Sequence, residues 1–600
     1  MIMIKNKNML KNIIKHKIQT LKKYYFCIKY KDKTINQKQI VIFFENNNQK
    51  FDNFLNNLKN KNFIPKLKID TEKAIISADN AINNSFLILN RKITFNKNIN
   101  WHQDFSSWKN NFYTDIKYKI YSSDKIENLG PEIKIPWELS RLYHVVDFAI
   151  AHEKTNDKKY IDSFILHVEN WIDKNPFLLG VNWLNPMEVL IRAINLIHAF
   201  DYFKNKKNIP NSFWIKLINS LYQHKIYIEN NWEIFYKNNN HYIADLIGYF
   251  YLVIFFDSKF EQIKIFKKIL KEFDIQIQPD GTCYEGSTNY HKLTTELFLL
   301  FYFLCKKNNF ILPENFKFRL NKAINFIRNC SDFADKLAQI GDNDGGKILH
   351  NFNLFKKQKS IKNIIKQNNK ILYYYPNFGL SIIKNNNFFI TYRHPTYKQN
   401  QPSGHFHNDS LSITLSYNNI PIIIDPGTYV YTPNKFYRDK LRSFNNHSTF
   451  FIKDNTFEQD IFKLNKLTQK DTAIIKKNKN KILIKNFYIN DNAKLHRALI
   501  FDKINNNLII KDFVKNITKK HIHWNFIFHP NINLKKINRN KFEILHENKT
   551  IFILKTNLDF SIQQTFYSQD YGLLEKSLKL TATQKMDNQK IITKLYSTKA

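Results

Sequence analysis

The chain has 600 residues, 43% hydrophobic and 15% aromatic. That is ample for sizeable cores and too long for a single ordinary one, so two or three domains are expected. Lysine plus arginine number 92 against 51 aspartate plus glutamate, a formal net charge of +41. Charge of this sign suits a polyanion, whether nucleic acid, an anionic membrane face or an acidic polysaccharide.

The plain alternative is a compositional bias, because Lys, Asn, Ile and Phe are abundant and Gly numbers only 12. No RNA- or DNA-binding fingerprint accompanies the charge, so specific nucleic-acid binding is not expected. Cys27, Cys283, Cys305 and Cys330 are scattered without a CxxC, which argues against a disulfide framework or a cysteine zinc site and leaves the redox compartment open. The longest apolar run, Leu246 to Phe256, lies between Asp245 and Asp257. It is too short to cross a bilayer, and no transmembrane segment is expected. Lys5, Lys7, Lys11, Lys15 and Lys17 are not followed by a clean apolar stretch, so a secretory signal is not supported and export by another route stays open.

In chain order, residues 1–95 read as a Lys/Asn-rich arm, partly helical. Residues 96–350 turn helical. Met187, Leu190, Ile191, Ile194 and Ile197 follow amphipathic spacing behind an Asn185-Pro186 start. Ile243, Leu246, Ile247 and Phe250 repeat the spacing, as does 294–304, and together these predict a helical domain of helix pairs. Residues 347–370 are polar and linker-like. From 371 to 600 the period shortens to two: Leu380–Ile383, Phe388–Tyr392, Leu411–Leu415, Ile420–Ile424, Ile482–Phe487 and Leu508–Ile510 read as short strands between Asn- and Lys-rich turns. Such spacing predicts an antiparallel sandwich or sheet stack. No repeat of fixed period is present.

Chemistry concentrates around Ser403–Asp425. His405 and His407, two apart, share a face of an extended chain. With Asp409 close by they suit Zn²⁺ binding or proton transfer. His447, Arg438, Arg442 and the Asp425-Pro-Gly-Thr-Tyr429-x-Tyr431 run lie in the same window. A strict two-residue turn at Asn418-Asn419 would set Asp425 opposite Ser412, so bringing Asp425 to His407 needs a bulge or curved strands.

Three helical-half segments are richer in polar groups than packing needs. Trp137, Glu138 and Arg141, with Asn182, Trp183, Asn185 and Glu188, suit a sugar groove or, equally, ordinary Trp-anchored helix starts. Asn238–His241 heads an apolar helix and suits an anion, although capping alone would account for an Asn. Asp280–His291 carries two glycines, then Tyr290 at a helix start, where nearby cations would ease its ionisation. Gly341-Asp342-Asn-Asp344-Gly345-Gly346 reads as a structural acidic turn, since it lacks EF-hand spacing.

The ordered series PWELSR, NWLNPMEVLIRAIN, NNNHYIADLIG, DGTCYEGSTNYH, GDNDGG, SGHFHND, DPGTYVYT and LRSFNNHST resembles the heparinase II/III family of polysaccharide lyases. The resemblance implies an α/α-toroid followed by an antiparallel β-sandwich, and β-elimination at a uronic acid in an acidic polysaccharide. It implies Asn240 and His241 as holders of the carboxylate, Tyr290 as acid with base as a second role, and His405 as partner base. His407, Asp425 and His447 would hold a structural zinc, and no organic cofactor is implied. Arg442 would bind the anionic sugar, alongside Trp137, Glu138, Asn182, Trp183 and Glu285. Asn-Asn-His447-Ser-Thr replaces the family's commoner Ala-His-Asn-Thr, and Phe406 and Asn408 replace small residues, which leaves the glycan open among heparan sulfate, alginate and other uronates. The family setting is periplasm or cell envelope; the absent signal keeps the cytoplasm open as well. Nothing in the sequence sets the oligomeric state.

Two other classes compete. A glycan-binding or assembly protein would share the fold without turnover, but retains no reason to keep Asn240, Tyr290 and His405 together. A hydrolase needs a carboxylate pair, and Glu138, Glu188 and Glu285 form no evident pair in sequence.

Overall fold

A computed structural model describes residues 17–18, 49–104, 132–235, 237–352, 370–396, 405–431, 434–452, 472–490, 493–515, 521–585 and 590–598. The chain forms two compact units. One comprises 1–276, 293–320 and 346–364; the other comprises 277–292, 321–345 and 365–600.

The first unit is helical. Within the N-terminal arm the described part holds α1 (Gln49–Asn60), α2 (Thr71–Ile82) and a hairpin of β1 (Ser85–Ile88) and β2 (Arg91–Thr94). Then come α3 (Lys134–Ser140), α4 (Tyr143–Thr155), α5 (Lys159–Lys174), α6 (Pro186–Phe203), α7 (Asn211–Asn230), α8 (Asn240–Phe255) and α9 (Lys259–Gln276). α10 (Thr288–Lys307) and α11 (Glu314–Asn329) follow, with 288–292 and 321–329 counted in the second unit. The start of α6 is set by chemistry local to it: the Asn185 side chain accepts from Glu188 N at 3.4 Å, and Pro186 takes the first turn. α8, Asp245 apart, is apolar on every face from Tyr242 to Phe255 because it is buried all round.

Two buried arginines of this unit are held by specific partners. Arg141 meets Glu188 through Nε and Nη2 at 2.6 and 2.7 Å, and Glu138 at 2.6 Å. Arg192 lies over the Trp171 and Trp183 rings at 4.1 and 5.3 Å.

The second unit is antiparallel β. Its five-stranded sheet runs in order β3 (Leu372–Tyr375), β4 (Leu380–Lys384), β5 (Phe388–Arg393), β6 (Ile413–Tyr417) and β7 (Ile420–Ile423). The remaining strands are β8 (Phe450–Ile452), β9 (Ile474–Lys477), β10 (Lys481–Asn490), β11 (Ala493–Asp502), β12 (Asn507–Lys515), β13 (His521–Ile527), β14 (Ile532–Asn538), β15 (Lys541–His546), β16 (Lys549–Thr556), β17 (Ser561–Tyr567), β18 (Glu575–Lys585) and β19 (Lys590–Ser597). They make an eight-stranded sheet, order β14-β15-β16-β19-β12-β11-β10-β9, and a four-stranded sheet, order β17-β18-β13-β8. Strict alternation along β11 buries Ala493, Leu495, Leu499 and Phe501 in the shared core with Phe388, Leu415, Trp524 and Phe552. Among the described residues this matches the helix-then-antiparallel-sheet class expected from the changing period.

One buried arginine ties these sheets to the functional loops. Arg497 grips Asp512 with Nε and Nη2 at 2.7 and 2.8 Å, while its Nη1 donates to Leu411 O at 2.9 Å and Ser448 O at 3.0 Å. Those two carbonyls sit just after the His405–Asp409 segment and just after His447.

The β6–β7 hairpin departs from a strict two-residue register. The register shifts between Leu415 and Ser416. β7 then changes partner: Ile424 N donates to Ile527 O at 3.0 Å, and His529 N to Ile422 O at 3.0 Å. A bulge followed by a switch of sheet carries Asp425 away from Ser412.

Candidate active site

His405 and His407 lie in a turn ahead of β6, not in a strand, and Gly404 falls outside the described residues. Leu411, at φ 62°, bends the chain from that turn into the sheet. This is a conformation a β-carbon disfavours and surrounding structure must hold.

The helix start that carries Tyr290 is pinned to the 338–342 segment. Thr288 N donates to Ile340 O at 3.0 Å, Thr288 Oγ1 to Ala338 O at 2.7 Å, and Ser287 Oγ to Asp342 O at 2.6 Å. Two glycines make the approach possible. A β-carbon on Gly341, at φ +69°, would lie 2.6 Å from His405 O; one on Gly286, at φ +76°, would lie 2.3 Å from the Phe406 ring. Phe406 thus rests on a glycine.

Tyr290 is 3% exposed, and its ring stacks on that of His405 with centroids 3.5 Å apart and planes 18° apart. Its hydroxyl lies 3.0 Å from that of Tyr431. Burial holds the Tyr290 pKa well above the ordinary value, and Asp344, Asp342 and Glu285 push it further up against a smaller opposing effect of Tyr431. This corrects the expectation of cation-assisted ionisation: Tyr290 faces carboxylates and keeps its proton at neutral pH. His405 Nδ1 lies 3.4 Å from Asp342 Oδ2, and Nε2 lies 3.3 Å from Glu285 Oε2. Glu285 is itself buried.

Beside this pair is a second cluster. The ligand atoms of His407, Asp425 and His447 all fall within 4.8 Å of one another, and all three residues are buried. His407 Nδ1 is 3.3 Å from His447 Nε2, which is 3.4 Å from Asp425 Oδ2. Donors about 2.0–2.1 Å from a tetrahedral ion stand about 3.3–3.4 Å apart, so the spacing fits zinc. The outward atoms are committed elsewhere, as in a metal site's supporting shell. His407 Nε2 is 3.0 Å from Asp342 Oδ1, His447 Nδ1 is 2.8 Å from Ser443 O, and Gly427 N donates to Asp425 Oδ1 at 3.0 Å. Asp409, the nearer carboxylate in sequence, instead accepts from Arg393 Nε at 3.1 Å.

Arg442 is buried, with Nη2 donating to Phe406 O at 3.0 Å and Nε 3.7 Å from Asp342 Oδ1. Burial works to raise the Asp342 pKa, but Arg442 and the two imidazoles outweigh it and hold the carboxyl well below its usual range.

In the helical unit, Asn240 opens α8 fully buried, with Nδ2 3.9 Å from Met187 Sδ. The cap itself is Asn239, whose side chain accepts from His241 N at 3.1 Å. His241 Nδ1 lies 3.1 Å from Glu233 Oε2. The Trp137 indole donates to Val181 O at 2.9 Å, and Glu138 is ion-paired with Arg141. Asn182, fully buried, donates to Trp101 O and Asn175 Oδ1 at 2.9 and 2.8 Å, and Trp183 is buried among Trp171, His224 and Tyr227. Glu138, Asn182 and Trp183 are therefore buried inside the helical core, where a sugar groove would need them exposed.

The second unit thus brings together Glu285, Tyr290, His405, His407, Asp425, Arg442 and His447. It adds Asp342, expected only as part of a structural turn, and Tyr431, expected in the same window but with no role. The compact acidic GDNDGG turn was the available signal for Asp342.

The Heparinase II/III N-terminus family matches residues 11–373, and Heparinase II/III-like, C-terminal, matches residues 368–595. A comparison with curated proteins returns no match. Among solved structures, heparinase III is similar at 17% identity and TM-score 0.68, covering 91% of this chain and 89% of that one. Heparan sulfate lyase HepC from Pedobacter heparinus is similar at 16% identity and TM-score 0.58, covering 92% and 88%. Chondroitin AC lyase from Streptomyces coelicolor A3 shares the fold at 6% identity and TM-score 0.51, covering 92% and 83%. With one family profile spanning more than half of its length, this chain belongs to the heparinase II/III family.

Proposed function

We propose that this protein is a polysaccharide lyase that cleaves a uronate-bearing acidic glycan by β-elimination. The observation that carries the reading is the protonated, buried Tyr290 stacked on His405. An acid and a base held face to face are what elimination across C4–C5 requires. The solved relatives named for heparan and chondroitin substrates support an acidic glycan, as does the +41 charge.

Neutralising the uronate carboxylate makes the C5 proton more acidic, a role that the family resemblance gives to Asn240 and His241. With Nδ1–H directed at Asp342, His405 Nε2 holds the lone pair that removes the C5 proton. Glu285, 3.3 Å from Nε2, stabilises the imidazolium that forms. The C5–H electrons become the C4=C5 double bond. The C4–O bond breaks, and Tyr290 gives its proton to the leaving oxygen. His407, Asp425 and His447 would hold a zinc ion, which supplies a structural cross-link between the His405 segment and the loops of Asp425 and His447.

The test is incubation of the purified protein with heparan sulfate, alginate, hyaluronan, chondroitin and bacterial capsular glycans, followed by ultraviolet absorbance. Rising absorbance from unsaturated uronate ends on one glycan supports the reading. Binding without absorbance on the whole panel supports a glycan-binding protein instead.

A further inference from the structure

We infer that Asp342 is a positioning residue whose single carboxylate sets the orientation of the His405 ring and of the His407 ring together, coupling the zinc-type centre to the base. The His405 half of this rests on the lyase reading; the His407 half does not.

The geometry divides the two oxygens between the two clusters. Oδ2 lies 3.4 Å from His405 Nδ1 and Oδ1 lies 3.0 Å from His407 Nε2. Oδ1 also accepts from Thr428 Oγ1 at 3.4 Å, three residues after Asp425. The backbone of Asp342 repeats the pattern: its N–H donates to His405 O at 3.0 Å, and its carbonyl accepts from Ser287 Oγ at 2.6 Å. Ser287 Oγ in turn accepts from Tyr290 N at 3.2 Å. One fully buried residue therefore touches the base, a ligand of the zinc-type cluster, the loop of a second ligand, and the helix start bearing the acid.

The consequence is chemical. A carboxylate accepts at both oxygens, so it orients Nε2–H of His407, which turns Nδ1 toward Asp425 and His447, and Nδ1–H of His405, whose Nε2 faces Glu285 Oε2 at 3.3 Å and takes the C5 proton. An amide at this place accepts from only one of the two rings. Its NH₂ faces the other ring's N–H and forces that ring to another tautomer or rotamer. Asp342→Asn keeps the volume and removes the double acceptor.

The experiment compares full-length wild type and D342N by two readouts. The first is zinc affinity by chelator competition, which needs no substrate. The second is kcat and KM at saturating zinc on the glycan the panel identifies. Zinc binding is expected to weaken by about 10–100-fold, as for other supporting-shell changes. With zinc restored, kcat is expected to stay at least ~10-fold low while KM moves little, the mark of a group that acts in the transition state. Unchanged zinc affinity overturns the inference. So does full recovery of kcat in excess zinc, because Asp342 would then serve His407 alone.

Should D342N not fold, zinc is stripped from wild type and from H405A. The inference expects the wild-type rate to fall and the residual H405A rate to hold; equal falls overturn it. A wild type that binds zinc, loses affinity on D342N and cleaves nothing overturns the lyase reading and upholds the Asp342–His407 half. A wild type that eliminates without binding zinc overturns the coupling.

Discussion

The Tyr290 ring lies flat on the His405 ring, with centroids 3.5 Å apart. Tyr290→Phe keeps that stack and removes the hydroxyl that carries the proton, with its contact to Tyr431. Turnover should fall by about 10²–10⁴-fold, the range for loss of a general acid, while glycan affinity by calorimetry stays at the wild-type value. Near wild-type turnover would take Tyr290 out of the reaction.

The zinc-type cluster predicts about one zinc per chain by elemental analysis. At free zinc about a hundredfold above Kd, binding would stabilise the protein by about 2.7 kcal/mol, so chelation should lower Tm. His447→Ala should abolish both the metal and the chelator effect. Absence of zinc with an unchanged Tm in chelator would remove the metal from the account.

Acid should destabilise the helical unit. Burial lowers His198 to about 3 and His167 to about 4, and drives His144 and His224 down as well. Their unfolded value is about 6.5, so between these values the unfolded chain binds more protons and stability falls as pH falls. The contribution is fully present above about pH 6.5 and is lost progressively toward pH 4. For His167 alone it is of the order of 3 kcal/mol. Unfolding free energy measured from pH 7.5 downward should show this slope, and His198→Gln, whose amide does not titrate, should flatten it.

Arg497 should matter to both stability and the site. Arg497→Met leaves Asp512 buried without its partner, which costs about 3–5 kcal/mol. It also frees the carbonyls of Leu411 and Ser448. The variant should unfold at lower denaturant and bind zinc more weakly. Asp512→Leu added to it should recover part of the stability and none of the zinc affinity, since the carbonyl anchors remain lost.

Much of this molecule was legible in local sequence because its helices and strands bury one periodic face. α6 follows from Met187, Leu190, Ile191 and Ile194 with Asn185-Pro186 ahead of them, and β10 and β12 follow from the runs Ile482–Phe487 and Leu508–Ile510. What was hidden depends on tertiary placement. The path of Asp425 hinges on a register shift between Leu415 and Ser416 and on pairing with Ile527, which no period encodes. Asn182 and Trp183 carry the same letters whether they line a groove or fill a core; their burial is a property of the packed helices. The raised pKa of Tyr290 comes first from burial and then from Asp344, Asp342 and Glu285; the burial and the two aspartates are supplied by folding. Asp342 looked like an ordinary turn because its partners, His405 and His407, lie more than sixty residues away in the chain.

The most direct measurement is mass spectrometry of the products of cleavage in heavy-oxygen water, using the glycan the panel identifies. Elimination takes nothing from solvent, so the product masses should sum to that of the substrate, with an unsaturated uronate on one fragment and no heavy oxygen on either. Fragments that together exceed the substrate by one water, carrying the heavy label, would mean hydrolysis and would contradict the roles given to Tyr290 and His405.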